Sequence, residues 1–277
     1  MLTKSRNENG SHNNEAGAVS GPAAGERAIA AALALDIAGN PGGFAIFTDF
    51  DGTLVDIVGR PEDVVVPRGL RSDIRQVRAL LGGAFAIVTG RTLAEVGRFL
   101  GKGLDASGLH GIEFTFATAA GQPPRAGDAP RELVEGIVKI VATDPGLRLE
   151  NKGAIIAVHY RQAPAAHGRL KSGLLDLIAT LRLDHQIKEG RAVIEVMPRG
   201  QSKGTALLEF MQRTPFSGRR PIMIGDDRAD EDAFAVAREA GGYGLRVAGE
   251  HFNRGDEPFA HAREVRAWFA TLAGRMS

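Results

Sequence analysis

Cysteine is absent from the 277-residue chain, which excludes disulfides, thiolate nucleophiles and cysteine-ligated zinc. An excess of one charge is also missing. Against 34 basic residues stand 33 acidic ones, a net +1, so no field is available to grip nucleic acid or an anionic membrane surface. No apolar run approaches the roughly 20 residues of a membrane span. The one apolar stretch near the start, residues 28–39, carries Asp36 and follows a polar leader, the reverse of a signal peptide. A cytoplasmic protein is therefore expected. No HExxH pair, Walker A lysine loop or GxSxG elbow occurs, and the loose GxGxxA match at residues 101–106 follows a helical pattern where a dinucleotide site needs a strand. Lysine is scarce, at seven residues, so a lysine inside a motif stands out.

What remains is an ordinary globular composition, 43% apolar and 24% charged. The first 25 residues, rich in Asn, Ser, Gly and Glu, are too polar to bury anything and read as a mobile tail. Residues 44–47 form an unbroken apolar run that stops at Asp-Phe-Asp-Gly, as a strand buried on both faces of a parallel sheet would. From Pro67 the pattern turns helical through Leu70, Ile74, Val77, Leu80 and Leu81, closed by Gly82 and Gly83. Residues 84–90 read as a second buried strand. Thr92 and Glu95 then form a capping box for a helix with Leu93, Val96, Phe99 and Leu100 on one face.

Between residues 113 and 199 the texture changes. KGAIIAVHYR and RAVIEVMP contain apolar–polar alternation, Gly190-Arg191 marks a hairpin turn, and helical stretches fall near residues 133–141 and 170–181. After Gly200 the first texture returns: a helix capped by Ser202 and bearing Ala206, Leu207, Phe210 and Met211, the buried strand PIMIG, a helix over 230–240, the strand GLRVAG, and a last helix over 264–272 with Trp268. The expected fold class is α/β: a doubly wound parallel-sheet core, residues 41–114 and 200–277, interrupted by an inserted α+β domain, residues 115–199. Residues 1–40 supply the tail and a leading helix.

In such a sheet ligands bind beyond the carboxyl ends of the strands. Three of these ends are polar: Asp49-Phe50-Asp51-Gly52-Thr53, Thr89-Gly90-Arg91 and Gly225-Asp226-Asp227-Arg228-Ala229-Asp230. Lys203 stands alone at the start of the helix before the third. Carboxylates converging there would repel one another unless a cation neutralised them, and magnesium suits a site with few carboxylates and room for a phosphate. Lys203, Thr53 and Thr89 would hold the phosphate oxygens. Without Cys or an activated Ser, a carboxylate is the nucleophile to consider. Singly, each feature also has a plain reading: Asp-Gly as a hairpin turn, the acidic run as a solvated helix start, Lys203 as an exposed helix residue, Thr89 as a cap.

Together, in this order and spacing, the four motifs resemble those of the haloacid dehalogenase (HAD) superfamily of aspartyl-phosphate phosphatases. The resemblance implies Asp49 as nucleophile and Asp51 as the acid that protonates the leaving group and later activates water. It implies Asp226 as the carboxylate on magnesium beside Asp49 and the Asp51 carbonyl, with Asp230 close behind and Asp227 farther out. Thr89 and Lys203 would bind the transferring phosphate, joined by Gly90.

The middle portion narrows the likeness. GLHGIE (108–113), ENKG (150–153), HYR (159–161) and IEVMPRGQSKGTAL (194–207) are similar to the trehalose-6-phosphate phosphatases, from residue 44 to the C-terminus. This implies magnesium-dependent release of phosphate from trehalose 6-phosphate, a step of trehalose biosynthesis. Glu150, Lys152 and Glu195 of a cap domain would contact the sugar, and Arg91, His110, Gly111 and Glu113 would contact substrate at the core–cap edge. Two departures, Ala229 for a common threonine and Phe50 for a frequent tyrosine, remove no carboxylate. Two alternatives remain: a sibling phosphatase for another sugar phosphate, and a non-catalytic sugar-phosphate sensor.

Overall fold

A computed structural model describes residues 26–117, 127–190, 192–249, 251–252 and 257–274; the expected tail and Arg191 lie outside them. A six-stranded sheet joins the segments on either side of a long insertion. Its strands are β1 (Phe44–Thr48), β2 (Phe85–Val88), β3 (Asp105–Gly108), β4 (Glu113–Thr115), and, after a long insertion, β9 (Arg220–Gly225) and β10 (Tyr243–Arg246), in the order β10-β9-β1-β2-β3-β4. All pairs are parallel except β3 with β4. The unbroken apolar run of β1 follows from its central place, since every one of its residues is buried.

Strand alternation places helices on both faces. Ile46 pairs with Phe85, so Phe47 points the other way. Phe85 meets Phe269 of the helix Ala262–Leu272 (α8), while Phe47 meets Phe210 of the helix Lys203–Met211 (α6). Helix α1 (Glu26–Gly39) packs on α8, burying Leu33 and Ile37 and accepting a bond from Trp268 Nε1 at Ala30 O, 2.7 Å. Helices α2 (Leu70–Leu80), α3 (Leu93–Leu100) and α7 (Glu231–Glu239) complete the layers. The capping boxes of Thr92 with Glu95 and of Ser202 with Thr205 are both formed.

The insertion carries its own sheet: β5 (Arg148–Asn151), β6 (Ile156–His159), β7 (His185–Gly190) and β8 (Val193–Pro198), antiparallel in the order β5-β6-β8-β7. Helices α4 (Arg131–Val141) and α5 (His167–Thr180) cover one face, where Leu133, Ile137, Leu170 and Leu174 pack on Ile156, Val158, Ile194 and Val196. The period of two then sends the intervening residues to the other face. Register lines up Glu150, Ala157, Glu195 and Lys188 as one row across all four strands. Leu109, Ile112, Ala154, Ile155 and Met197 form a small apolar joint between this unit and the parallel sheet.

Several bounds differ from the sequence reading. α5 begins at His167, three residues before the expected start, and α7 at Glu231, after a single turn of 3-10 helix, Arg228–Asp230. β10 ends at Arg246, short of the expected Gly249, and α8 starts at Ala262. β3 has no counterpart in the sequence reading because its four residues, Asp-Ala-Ser-Gly, carry no apolar run; Asp105 is buried against Arg78, 3.1 Å away. Among the described residues no helix is long and apolar enough to cross a membrane.

Candidate active site

The chain leaves β1 at Asp49, whose N–H still donates to Ile224 O of β9 at 2.8 Å, so the first polar residue after the strand is fixed by the ladder. Gly52 turns the chain with φ +77°, and a Cβ there would lie 2.0 Å from Asp226 Oδ2. Only glycine meets both conditions. Gly225 at the end of β9 shares only the second condition, with the Asp230 carboxylate in the space a Cβ would fill.

Lys203, at the first turn of α6, is 2% exposed and lies 2.9 Å from Asp49 Oδ1 and 2.6 Å from Asp230 Oδ1. Burial disfavours its charge, but Asp230 and Asp49 outweigh burial and raise its pKa. Asp49 is pushed well above the ordinary carboxylate range by burial, with Lys203 opposing and Asp230 and Asp226 adding to the rise. Asp226 is pushed up to about 7, by burial first and then by Asp230. Asp49, Asp226 and Asp230 can each offer an oxygen within 4.8 Å of the others. Three buried carboxylates facing one lysine leave uncompensated negative charge, and an all-oxygen donor set fits a hard divalent cation.

Asp230 Oδ2 also accepts from the Asp227 N–H at 3.0 Å, so both of its oxygens are engaged inside the protein. Asp227 is partly exposed and accepts from the Arg228 N–H. Thr53 departs from the expected phosphate role. Its side chain is fully buried and its hydroxyl donates to Asp226 Oδ1 at 3.0 Å, which orients that carboxylate and leaves the hydroxyl turned away from the cavity.

A cavity of about 780 Å³ opens between the strand ends and the polar face of the inserted sheet. Asp49, Asp51, Thr89, Gly90, Arg91, Lys203, Asp226 and Asp227 line it from one side, with His110 at the back. Glu150, Lys152 and Glu195 line it from the other. Lys152 Nζ donates to Glu195 Oε1 at 2.9 Å, His110 Nε2 lies 2.9 Å from Glu195 Oε2, and His159 Nε2 lies 2.8 Å from Glu150 Oε2. Burial alone would raise the Glu195 carboxyl; Lys152 and His110 overcome it and hold the group far below the ordinary range. The His159 hydrogen bond likewise lowers Glu150 against the effect of burial.

Three residues expected at the substrate do other work. Arg91 lines the cavity, yet its guanidinium grips both oxygens of Asp51 and reaches Glu95 Oε1. Gly111 packs on backbone, where a Cβ would lie 2.5 Å from Ser202 O. Glu113 is buried beside α3, accepting from the Leu93 N–H at 2.8 Å, and does not reach the cavity.

The cavity is also lined by Lys188 and by Arg161 of the HYR motif, neither of which the sequence assigns a role. Lys188 shares the row of Glu150 and Glu195, and burial followed by Lys203 lowers its pKa. Arg161 spans the mouth, donating to Gly59 O at 3.0 Å. Alternation in β7 is the signal for Lys188: it neighbours Ile187, which packs against the inserted unit's core and so turns Lys188 to the opposite face.

The sequence profile of the trehalose-phosphatase family matches residues 47–265. The trehalose-6-phosphate phosphatase of Escherichia coli K12 is 35% identical over 207 residues, 74% of this chain and 77% of that protein. Among solved structures, the C-terminal domain of the Candida albicans trehalose-6-phosphate phosphatase superposes with a TM-score of 0.71 over 88% of this chain and 96% of its own, at 21% identity. A Bacteroides thetaiotaomicron phosphatase of the HAD superfamily superposes at 0.57, covering 86% of this chain and 97% of that one, at 14% identity. The profile runs from within β1, through the whole inserted sheet, to α8, and so takes in both walls of the cavity: the chain belongs to the trehalose-phosphatase family, phosphatases built on the HAD fold.

Proposed function

We propose that this protein hydrolyses trehalose 6-phosphate to trehalose and inorganic phosphate through a phosphorylated Asp49. The observation that carries the reading is the opposition of two walls across one cavity. Asp49 and Asp226 stand at the strand ends beside Lys203 of α6, and Glu150, Lys152 and Glu195 stand across from them on the inserted unit. The first wall suits a phosphate ester and the second a polyhydroxylated leaving group. A volume of about 780 Å³ is in the range of small-molecule sites and admits a disaccharide.

In the first step an Asp49 oxygen attacks phosphorus, the phosphorus–oxygen bond to the sugar breaks, and Asp51 gives its proton to the departing sugar oxygen. In the second, Asp51 takes a proton from water, whose oxygen attacks phosphorus, and phosphate leaves Asp49. Lys203 steadies Asp49 and, with Thr89 and the backbone at Gly90, faces the phosphate oxygens. Asp49 and Asp226 would hold magnesium, with the Asp51 carbonyl. Bound there, the ion supplies countercharge to the carboxylates and the phosphate. Residues 115–199 act as a cap whose polar face reads the sugar and shields the site from water.

The test is phosphate release from trehalose 6-phosphate, sucrose 6-phosphate and glucose 6-phosphate, with magnesium and with excess EDTA. Magnesium-dependent release that favours trehalose 6-phosphate in kcat/KM is expected. Equal release from all three would refute the substrate, and release unaffected by EDTA would refute the metal. Tight binding with no release would favour a sensor.

A further inference from the structure

Three consecutive residues in the turn from β3 to β4 are left-handed: Leu109 with φ +49°, His110 with φ +54° and Gly111 with φ +101°. Two of them carry side chains that disfavour this region, so the surroundings must hold the turn in place. They do so from both sides. The Leu109 N–H donates to Arg91 O at 2.9 Å and the His110 N–H to Thr89 O at 3.0 Å, while Gly111 packs on the Ser202 carbonyl.

The strained turn aims His110 out of the core. Its ring passes over Gly90, where a Cβ would lie 2.5 Å from Nε2, and ends 2.9 Å from Glu195 Oε2 on the inserted sheet. Lys152 occupies the other oxygen of Glu195, so both are engaged, one from the core and one from the cap. Nδ1 of His110 is buried without a hydrogen-bond partner. A proton on Nε2 leaves only a lone pair unsatisfied, whereas a proton on Nδ1 would bury an unpaired N–H and turn a lone pair toward the carboxylate. The network therefore assigns Nε2–H as the donor to Glu195.

We infer that His110 is a positioning residue for sugar recognition, holding Glu195 in the orientation that reads a hexose hydroxyl when the inserted sheet lies over the strand ends. It is not itself a ligand for the sugar: its one donor faces Glu195 and its other nitrogen is enclosed. This rests on the proposed sugar contact of Glu195 and deepens it. Gly90 belongs to the same device, because the ring reaches Glu195 only where no side chain intervenes.

Two substitutions separate donor from shape. His110→Asn tolerates a left-handed backbone but is too short to reach Glu195, and His110→Gln returns an N–H donor at the reach of Nε2. Each is assayed in the full chain, with magnesium, on trehalose 6-phosphate and on p-nitrophenyl phosphate, which has no sugar. H110N is expected to lose at least about tenfold more kcat/KM on the sugar phosphate than on the aryl phosphate, mainly through KM, with most of the loss recovered in H110Q. Combined with Glu195→Ala, H110N should add nothing to the loss of E195A alone. Equal losses on both substrates, no recovery in H110Q, or multiplying losses in the double variant would overturn the positioning role and leave the sugar contact standing. An E195A variant with unchanged kcat/KM on trehalose 6-phosphate would overturn both.

Discussion

Arg91 holds Asp51 by both carboxylate oxygens, Nε to Oδ2 at 2.6 Å and Nη2 to Oδ1 at 2.7 Å. The arginine is itself fixed, ion-paired with Glu95 at 3.0 Å and with its guanidinium carbon 5.0 Å from the centre of the Phe99 ring and 5.6 Å from that of Phe50. Such a two-pronged grip sets orientation as well as charge. In the proposed mechanism Asp51 serves the leaving oxygen, and the grip would then define a resting position from which that acid is drawn. The position of Arg91, three residues past the end of β2 and 40 residues from Asp51, brings the grip to the site from a different strand.

Loss of that grip should be felt most where the leaving group needs a proton. Arg91→Ala is expected to lower kcat on trehalose 6-phosphate on the order of 10²-fold, the scale of a displaced general acid. The p-nitrophenol burst from p-nitrophenyl phosphate, whose leaving group departs without protonation, should fall far less. Arg91→Lys offers one point charge for a fork and should recover only part. Equal losses in the two assays would show that Arg91 supports the fold of the site and not the acid.

Asp49→Asn is expected to abolish turnover while the protein keeps its circular dichroism and its affinity for the sugar phosphate. Lys203→Met has a second consequence. It leaves Asp49 and Asp230 buried without their cation, which should cost about 3–5 kcal/mol of unfolding free energy in metal-free protein, the scale for breaking a buried pair. Urea denaturation of both variants in EDTA measures this. A K203M protein as stable as wild type would mean that the carboxylates take up protons to compensate.

The features legible in the sequence are those imposed locally. β1, β2 and β9 announce themselves as apolar runs because both faces are buried, and α3 and α6 by caps within three residues of each other. The strand ends are legible for the same reason, since a polar cluster directly after a buried run has nowhere to go but the sheet's edge. What is hidden is the partner of each side chain. Glu113 and Arg91 have the chemistry of substrate contacts, but one meets the N-terminus of α3 and the other Asp51, at sequence separations of 20 and 40. Lys188 enters the site through strand register, and no spacing within its own segment reports that it stands opposite Glu195.

The buried imidazole makes stability depend on pH in a defined direction. Burial lowers the His110 pKa from 6.5; Glu195 on β8 opposes the shift, and Lys188 on β7 and Lys203 on α6 add to it. Below pH 6.5 the unfolded chain takes up a proton that the folded chain resists, so the contribution of His110 is fully present above 6.5 and is lost as pH falls through the folded value. The unfolding free energy of wild type, minus that of H110N, should therefore shrink between about pH 7.5 and pH 5. Parallel curves from the two proteins would show that this histidine titrates alike in both states.

Magnesium should act on stability as well as rate, because the cluster of Asp49, Asp226 and Asp230 is a feature of the folded chain alone. An ion that binds only the folded state adds RT ln(1 + [L]/Kd), about 2.7 kcal/mol at a hundredfold excess over Kd. Thermal unfolding in EDTA, then with rising magnesium, should show Tm climbing with the logarithm of concentration. Asp226→Asn removes one oxygen charge and should flatten that climb, whereas Asp56→Asn, at an exposed ion pair with Arg266, should leave it as in wild type. Calcium provides the control for chemistry: its larger, looser coordination can occupy the same oxygens and raise Tm without supporting turnover. A Tm indifferent to magnesium would place the ion elsewhere, and the Asp49–Lys203–Asp230 network would then have to stand on its own charges.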